Sequence, residues 1–284
     1  MFKRLSQTIQ WIGKHFLGML FLLLVAVLFF PKSTVPQEQA NLQEIQLFGT
    51  IMDASKIVEE IEEAKNNPLI QGVLLNVNSP GGAVPPSIEI SYAIKALQKE
   101  KPVIAYASGV MASGSYYSSI YADTIIANPG AIIGSIGVIM QSANIEELMK
   151  KVGIQSQVVK QGLYKEAGTF TRTWTPQERA ELEQLTLDTY QLFVHDVAQA
   201  RGLDENLSNS FANAHIFSAK RAKEVGLIDT IGIKSQAKAL LIKKSHTPHP
   251  HWKEKSQIDT FIEKLTTKSI IKLEGYIGGL KARL

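Results

Sequence analysis

The chain has 284 residues, 45% hydrophobic and 20% charged, enough for one large domain or two small ones with ample core. It contains no cysteine, which excludes disulfides, thiolate metal sites and cysteine nucleophiles and is compatible with any compartment. The net charge of +4 is unevenly spread: residues 1–31 carry three basic residues and no acid, residues 234–284 carry eleven against four acids, and the stretch between is six units negative. A nucleic-acid binder would place its basic surface on the folded core, so no nucleic-acid partner is expected. The basic tail reads as a solvated helix face, with attraction to anionic lipid headgroups as the alternative.

In chain order, residues 16–30 form an uninterrupted apolar run of 15, preceded by Lys3, Arg4 and Lys14. A span needs ~20 apolar residues, which Trp11, Ile12 and Gly13 can help supply if Lys14 and His15 snorkel. No Ala-x-Ala cleavage pattern follows in residues 31–36, so an uncleaved signal-anchor helix is expected. The positive-inside rule then predicts a single-pass protein of the cytoplasmic membrane, with residues 1–31 as cytoplasmic tip and anchor and the rest on the extracytoplasmic side. Residues 32–44 read as a linker, 45–235 as the folded domain and 236–284 as a basic, partly helical tail.

Within the domain a strand is predicted at 45–51 and a helix at 56–66, followed by a buried strand at 73–77. That strand ends in Asn78-Ser79-Pro80-Gly81-Gly82, a strong turn signal. A helix at 86–99, a buried strand at 103–107, a glycine turn at Gly109, a helix at 113–121 and a strand at 124–127 follow. Repeated strand–turn–helix units predict an α/β fold with parallel strands. A further strand is expected at 157–160. Thr175-Pro176-Gln177-Glu178 fits a capping box opening a helix that runs to about Ala200, before Gly202. A short helix at 218–225, closed by Gly226, and an amphipathic tail helix through Ile258, Phe261, Ile262 and Leu265 complete the reading.

Two glycine turns follow two neighbouring strands, and ligands of open α/β sheets bind beyond the strands' carboxyl ends. Gly109-Val110-Met111-Ala112-Ser113-Gly114 puts a serine at the start of a helix, beside the unsatisfied amide of Gly114. The Gly81-Gly82 turn lets backbone come close to a bound peptide and can aim an amide at a developing oxyanion. A serine nucleophile needs a base. No histidine lies between His15 and His195, so a lysine such as Lys165 is the natural candidate within that interval. Ser135 could hydrogen-bond and orient it, whereas Glu166 would oppose neutralisation if it pointed the same way. Taken singly, each feature also has a plain reading: tight turns, Ser113 as a helix cap, a solvated Lys165 and a turn-forming Ser135. His195 and Asp196 fall inside the long helix, facing solvent or core. His246, His249 and His251 alternate with prolines and read as a flexible linker rather than a metal site. With no phosphate loop and no His-Glu-x-x-His motif, no cofactor or metal is expected.

Together these motifs resemble the SppA-type signal peptide peptidases, membrane-anchored Ser-Lys proteases of crotonase-like (Clp-protease-like) fold. The resemblance covers about residues 45–235 and rests on five motifs in order. They are 78–82, Ala112-Ser113-Gly114 with Tyr116-Tyr117, Gly134-Ser135-Ile136-Gly137-Val138, Lys165 in its glycine-flanked loop, and Gly226-Leu227-Ile228-Asp229. It implies Ser113 as nucleophile, Lys165 as general base and later acid, Ser135 as the lysine's orienting partner, and oxyanion amides from Gly81 and Gly114, with Gly82 as a substitute for Gly81. It also implies apolar peptide substrates such as signal-peptide remnants and a homo-oligomeric ring. Where the family usually has a second glycine this chain has Ser115, expected to narrow the site. A crotonase-type acyl-CoA enzyme and a non-catalytic membrane scaffold of the same fold are the rival readings.

Overall fold

A computed structural model describes Trp11, residues 14–22 and residues 39–254. The chain divides into two units, Met1–Gln39 and Ala40–Leu284. In the first, Trp11 and residues 14–22 are helical, and no helix among the described residues is long and apolar enough to cross a membrane. The expected anchor from residue 23 onward lies outside the described residues, as does the expected tail helix beyond residue 254.

The second unit is built on a seven-stranded sheet. Five parallel strands run in the order β1 (Leu42–Phe48), β2 (Gly72–Ser79), β3 (Val103–Ala112), β4 (Thr124–Ala127) and β7 (Thr230–Ile231). Strand β5 (Ile132–Gly134) pairs parallel with the distal part of β3, and β6 (Ile216–Ser218) pairs antiparallel with β5. Successive strand side chains point to opposite faces, so a strand apolar at every position needs cover on both sides. Val73, Leu75 and Val77 face the main core, together with Ile45, Leu47, Val103 and Ala105. That face is covered by α1 (Ser55–Asn66), α2 (Val84–Gln98), α3 (Gly114–Ser119) and the long α5 (Pro176–Arg201). Leu74, Ile104, Tyr106 and Ile126 point the other way and pack under Ala237 and Leu241 of α8 (Lys234–Lys244).

The boundary drawn at residue 235 therefore falls inside this layered unit, because α8 supplies its third layer. The His-Pro stretch is likewise pinned rather than flexible. The His251 carbonyl accepts the amides of Asn41 (2.8 Å) and Leu42 (3.1 Å), and Lys253 donates to the Leu42 carbonyl at 2.7 Å. These bonds pair the first residue of the outer edge of β1 with residues 251–253.

Two local features aim the site. Strand β3 does not turn at Gly109 but continues to Ala112, and its register with β2 shifts between Val77 and Ser79. Asn78 Oδ1 accepts the Val110 amide at 3.0 Å, and a Cβ on Gly109 would lie 2.5 Å from that oxygen, so glycine is what admits the bulge. Helix α5 begins as its sequence predicts: Thr175 and Glu178 form a reciprocal capping box with proline in the first turn. It ends at Gly202, left-handed at φ 63°. Between β5 and α5 the chain is irregular apart from α4 (Glu146–Lys151). The strand expected at 157–160 does not form. Its adjacent valines offer no single apolar face, and Val159 is fully exposed.

The remaining short helices are α6 (Ser208–Phe211) and α7 (Ala219–Glu224).

Candidate active site

Ser113 occupies the one-residue junction between β3 and α3, at φ 53° and ψ −125°. For a residue with a Cβ this is a sparsely populated conformation costing of order 1–3 kcal/mol, kept only where the surroundings enforce it. The enforcement is visible. The Ser113 amide donates to the Gly134 carbonyl of β5 at 2.8 Å, and its carbonyl accepts from the Tyr117 amide at 3.0 Å. Although Ser113 sits at the cap position, its hydroxyl makes no capping bond. The strain thus presents the hydroxyl outward rather than into the helix end.

The Gly81-Gly82 turn packs directly on this junction. A Cβ on Gly81 (φ 93°) would meet the Gly114 nitrogen at 2.5 Å and Ser113 Cβ at 2.8 Å. The Gly81 amide donates to Ser79 Oγ at 3.1 Å, so it is already engaged. Gly82 differs: Ile51 donates to the Gly81 carbonyl (2.9 Å) and accepts from the Ala83 amide (2.7 Å), leaving the Gly82 amide out of this ladder. A Cβ on Gly114 would lie 3.2 Å from the Gly82 nitrogen and 2.3 Å from Ser87 Oγ. Among the described residues, the amides of Gly82 and Gly114 beside Ser113 have no hydrogen-bond acceptor.

Ser113 opens onto a cleft of about 350 Å³, mouth included. One wall is Gly82, Val84, Ser87 and Ile88; another side is Ser113, Gly114 and Tyr117. Gly137 and Val138 after β5, with Thr189, Leu192 and Phe193 of α5, close the remainder, and among the described residues no charged side chain lines it. Ser115 does not narrow this cleft. It is fully buried, its hydroxyl accepting the Ala112 amide (2.9 Å) and reaching the Ser79 carbonyl (2.7 Å), a staple between the ends of β2 and β3.

Ser135 follows Gly134 and is likewise at positive φ, 51°. Its amide donates to the His215 carbonyl at 2.7 Å, so Ser113 and Ser135 hang from neighbouring points of β5. Lys165 stands exposed on a turn of the irregular segment and is not among the residues lining the cleft. Its neighbour Glu166 is held elsewhere, by Arg172 at 2.7 Å and Lys160 at 3.0 Å. Arg172 also forks onto Glu178, at 2.9 and 2.7 Å, and Glu178 is 1% exposed. The Arg172 hydrogen bonds, then that of the Thr175 amide, pull the Glu178 carboxyl down to about 2. This clamp ties the loop carrying Lys165 to the first turn of α5. His195 is exposed and pairs with Glu205 at 2.7 Å.

Sequence reasoning missed three contributors: the Ser79 hydroxyl that occupies the Gly81 amide, the α5 wall, and the hydrogen bond from the Tyr117 hydroxyl to the buried Asp196. The last joins residues 79 apart in sequence. Its only sequence signal was the Tyr116-Tyr117 pair after the serine.

A strained serine beside two free amides at the mouth of an uncharged cleft, on a mostly parallel α/β sheet, has the form of a peptidase site. Residues 95–247 match the family model described as peptidase family S49, and the chain belongs to that family. Relatives include a candidate protease of Methanocaldococcus jannaschii, 37% identical over 198 residues, covering 70% of this chain and 64% of that protein. A candidate protease of Synechocystis sp. is 37% identical over 190 residues, 67% of each chain. The chloroplastic serine protease SPPA of Arabidopsis thaliana is 31% identical over 201 residues, 70% of this chain but 30% of its own length. The match thus spans about two thirds of the first two relatives and under a third of the plant protein. Among solved structures, a ClpP1 mutant from Listeria monocytogenes superposes with TM-score 0.45 at 15% identity, covering 68% of this chain and 93% of that one.

Proposed function

We propose that the chain is a membrane-anchored serine endopeptidase of the SppA type, acting through Ser113 and Lys165 on apolar peptides such as signal-peptide remnants outside the cytoplasm. The observation that carries this reading is the strained Ser113 junction, with the Gly82 and Gly114 amides unpaired at the mouth of an uncharged cleft. In the reaction, Lys165 removes the hydroxyl proton as Ser113 Oγ attacks the scissile carbonyl carbon. The resulting oxyanion is held by the Gly82 and Gly114 amides. Collapse breaks the peptide C–N bond, and the departing amine takes the proton from Lys165. Water then attacks the acyl ester, giving its proton to Lys165, and the ester C–O bond breaks as Ser113 Oγ takes that proton back, restoring both groups. Ser135 orients the lysine. The apolar walls Val84, Ile88, Val138 and Leu192 take an apolar side chain next to the scissile bond.

A lysine serves as base only where its ammonium is desolvated, and assembly supplies that burial. The segment carrying Lys165 exposes Ile139, Val158, Val159, Leu163 and Phe170, a concentration of apolar surface that marks an interface. Copies joined through it form a homo-oligomer in which Lys165 meets Ser113. The experiment is hydrolysis of quenched fluorescent peptides by the full chain in detergent micelles, with molar mass followed by light scattering. Cleavage beside apolar residues by an oligomer is expected. A correctly folded oligomer that cleaves no peptide overturns the reading.

A further inference from the structure

Tyr117 stands one turn beyond Ser113, on the nucleophile's own helix, and its ring lines the cleft. The ring packs edge-to-face on Phe193 of α5, with centroids 4.7 Å apart at 68°. Its hydroxyl donates to the carboxylate of Asp196, three residues further along α5. Tyr117, Phe193 and Asp196 are 4, 6 and 6% exposed. One side chain therefore joins the helix that carries the nucleophile to the helix that forms the opposite wall. Among the described residues the Asp196 carboxylate has this single side-chain donor and forms no ion pair. Burial and the carboxylate both push the phenol far up, so it stays a donor throughout the working pH range.

A buried carboxylate served by one neutral donor is a poor way to stabilise a helix contact. An apolar pair of the same volume would do as well or better. What the pair adds is direction: a hydrogen bond fixes where the phenol ends, whereas apolar packing lets a ring slide. Tyr117 is also one of the residues that line the cleft. We propose that Asp196 is a specificity-determining residue, which sets, through the Tyr117 hydroxyl, the depth of the pocket for the side chain beside the scissile bond. This rests on the serine-peptidase reading of Ser113. Released from Asp196, the ring retreats and the pocket deepens toward α5, admitting side chains that the wild type excludes.

The test compares kcat/KM for paired peptides carrying Trp or Leu at that position, using the full-length assembled enzyme. Variants are Asp196→Ala, Asp196→Asn and Tyr117→Phe, each checked for oligomer mass and melting temperature. A change of one or two methylenes in an apolar pocket alters discrimination by about tenfold or more. Asp196→Ala is expected to raise the Trp/Leu ratio by about that factor. Asp196→Asn, which retains an acceptor, keeps the wild-type ratio. Tyr117→Phe moves the ratio in the same direction as Asp196→Ala and serves if the alanine variant does not fold. An unchanged ratio in both Asp196→Ala and Tyr117→Phe, with the two substrates losing rate alike, makes the pair purely structural and overturns the proposal. Absence of Ser113-dependent cleavage in the wild type overturns the peptidase reading and this proposal with it.

Discussion

Replacing Gly81 with alanine tests whether the glycine turn positions the nucleophile. The new Cβ would lie 2.5 Å from the Gly114 nitrogen, 2.8 Å from the Ala112 carbonyl oxygen and 2.8 Å from Ser113 Cβ. Ordinary contacts of this kind begin near 3.4 Å, so the turn and the junction must part by several tenths of an ångström up to nearly an ångström. The φ of 93° adds about 1–2 kcal/mol for a residue with a Cβ. With the clash, a stability loss of about 2–4 kcal/mol is expected, within the 5–15 kcal/mol of a typical domain. The chain therefore stays folded. Activity suffers more, because a displacement approaching 1 Å at the reacting atoms costs on the order of 10²-fold. The assay is kcat/KM on an apolar peptide alongside thermal melting. Gly202→Ala supplies the control: it also has positive φ, at 63°, but nothing lies within 4 Å of its would-be Cβ and it does not line the cleft. That variant should lose about 1 kcal/mol of stability and keep its activity. Wild-type kcat/KM in Gly81→Ala would refute the packing of this turn on the nucleophile as a functional contact.

Ser115→Ala strands the buried Ser79 carbonyl and Ala112 amide, at about 1–3 kcal/mol. Melting should fall by roughly 2–4 °C for each kcal/mol, while the side-chain preference of the cleft is unchanged; a shifted preference would mean that Ser115 does reach the substrate. Glu178, pulled down to about 2, contributes stability that is fully present above its ordinary value of 4.5 and is lost as pH falls through about 2. Glu178→Gln should therefore lower the melting temperature at neutral pH, and the gap to wild type should close between these two values. A gap independent of pH would show that the Arg172 clamp is not what the carboxylate serves.

The sheet strands β1 to β4 and the capped α5 were legible because their signals are local: apolar runs bounded by turns, Thr175 answering Glu178, and glycine at position 202. Strands β5, β6 and β7 were not, since segments of two or three residues are strands only by virtue of the neighbours they pair with. Gly109 read as a turn and is a bulge, a distinction made by Asn78 reaching Val110. That the Gly81 amide is engaged depended on Ser79 Oγ capturing it, and the orientation of Ser115 on a carbonyl 36 residues away. Nothing within five residues of Asp196 identifies its partner on α3. The role proposed for Lys165 rests on family resemblance alone: its immediate sequence is that of a surface turn, and its surface in the single chain is exposed.

The central claim is tested most directly by kcat/KM of Ser113→Ala and Lys165→Ala against wild type, on one apolar peptide, with oligomer mass verified for each. The account predicts loss of at least about 10³-fold in both variants with assembly intact. Cleavage by either at a rate near wild type would contradict it.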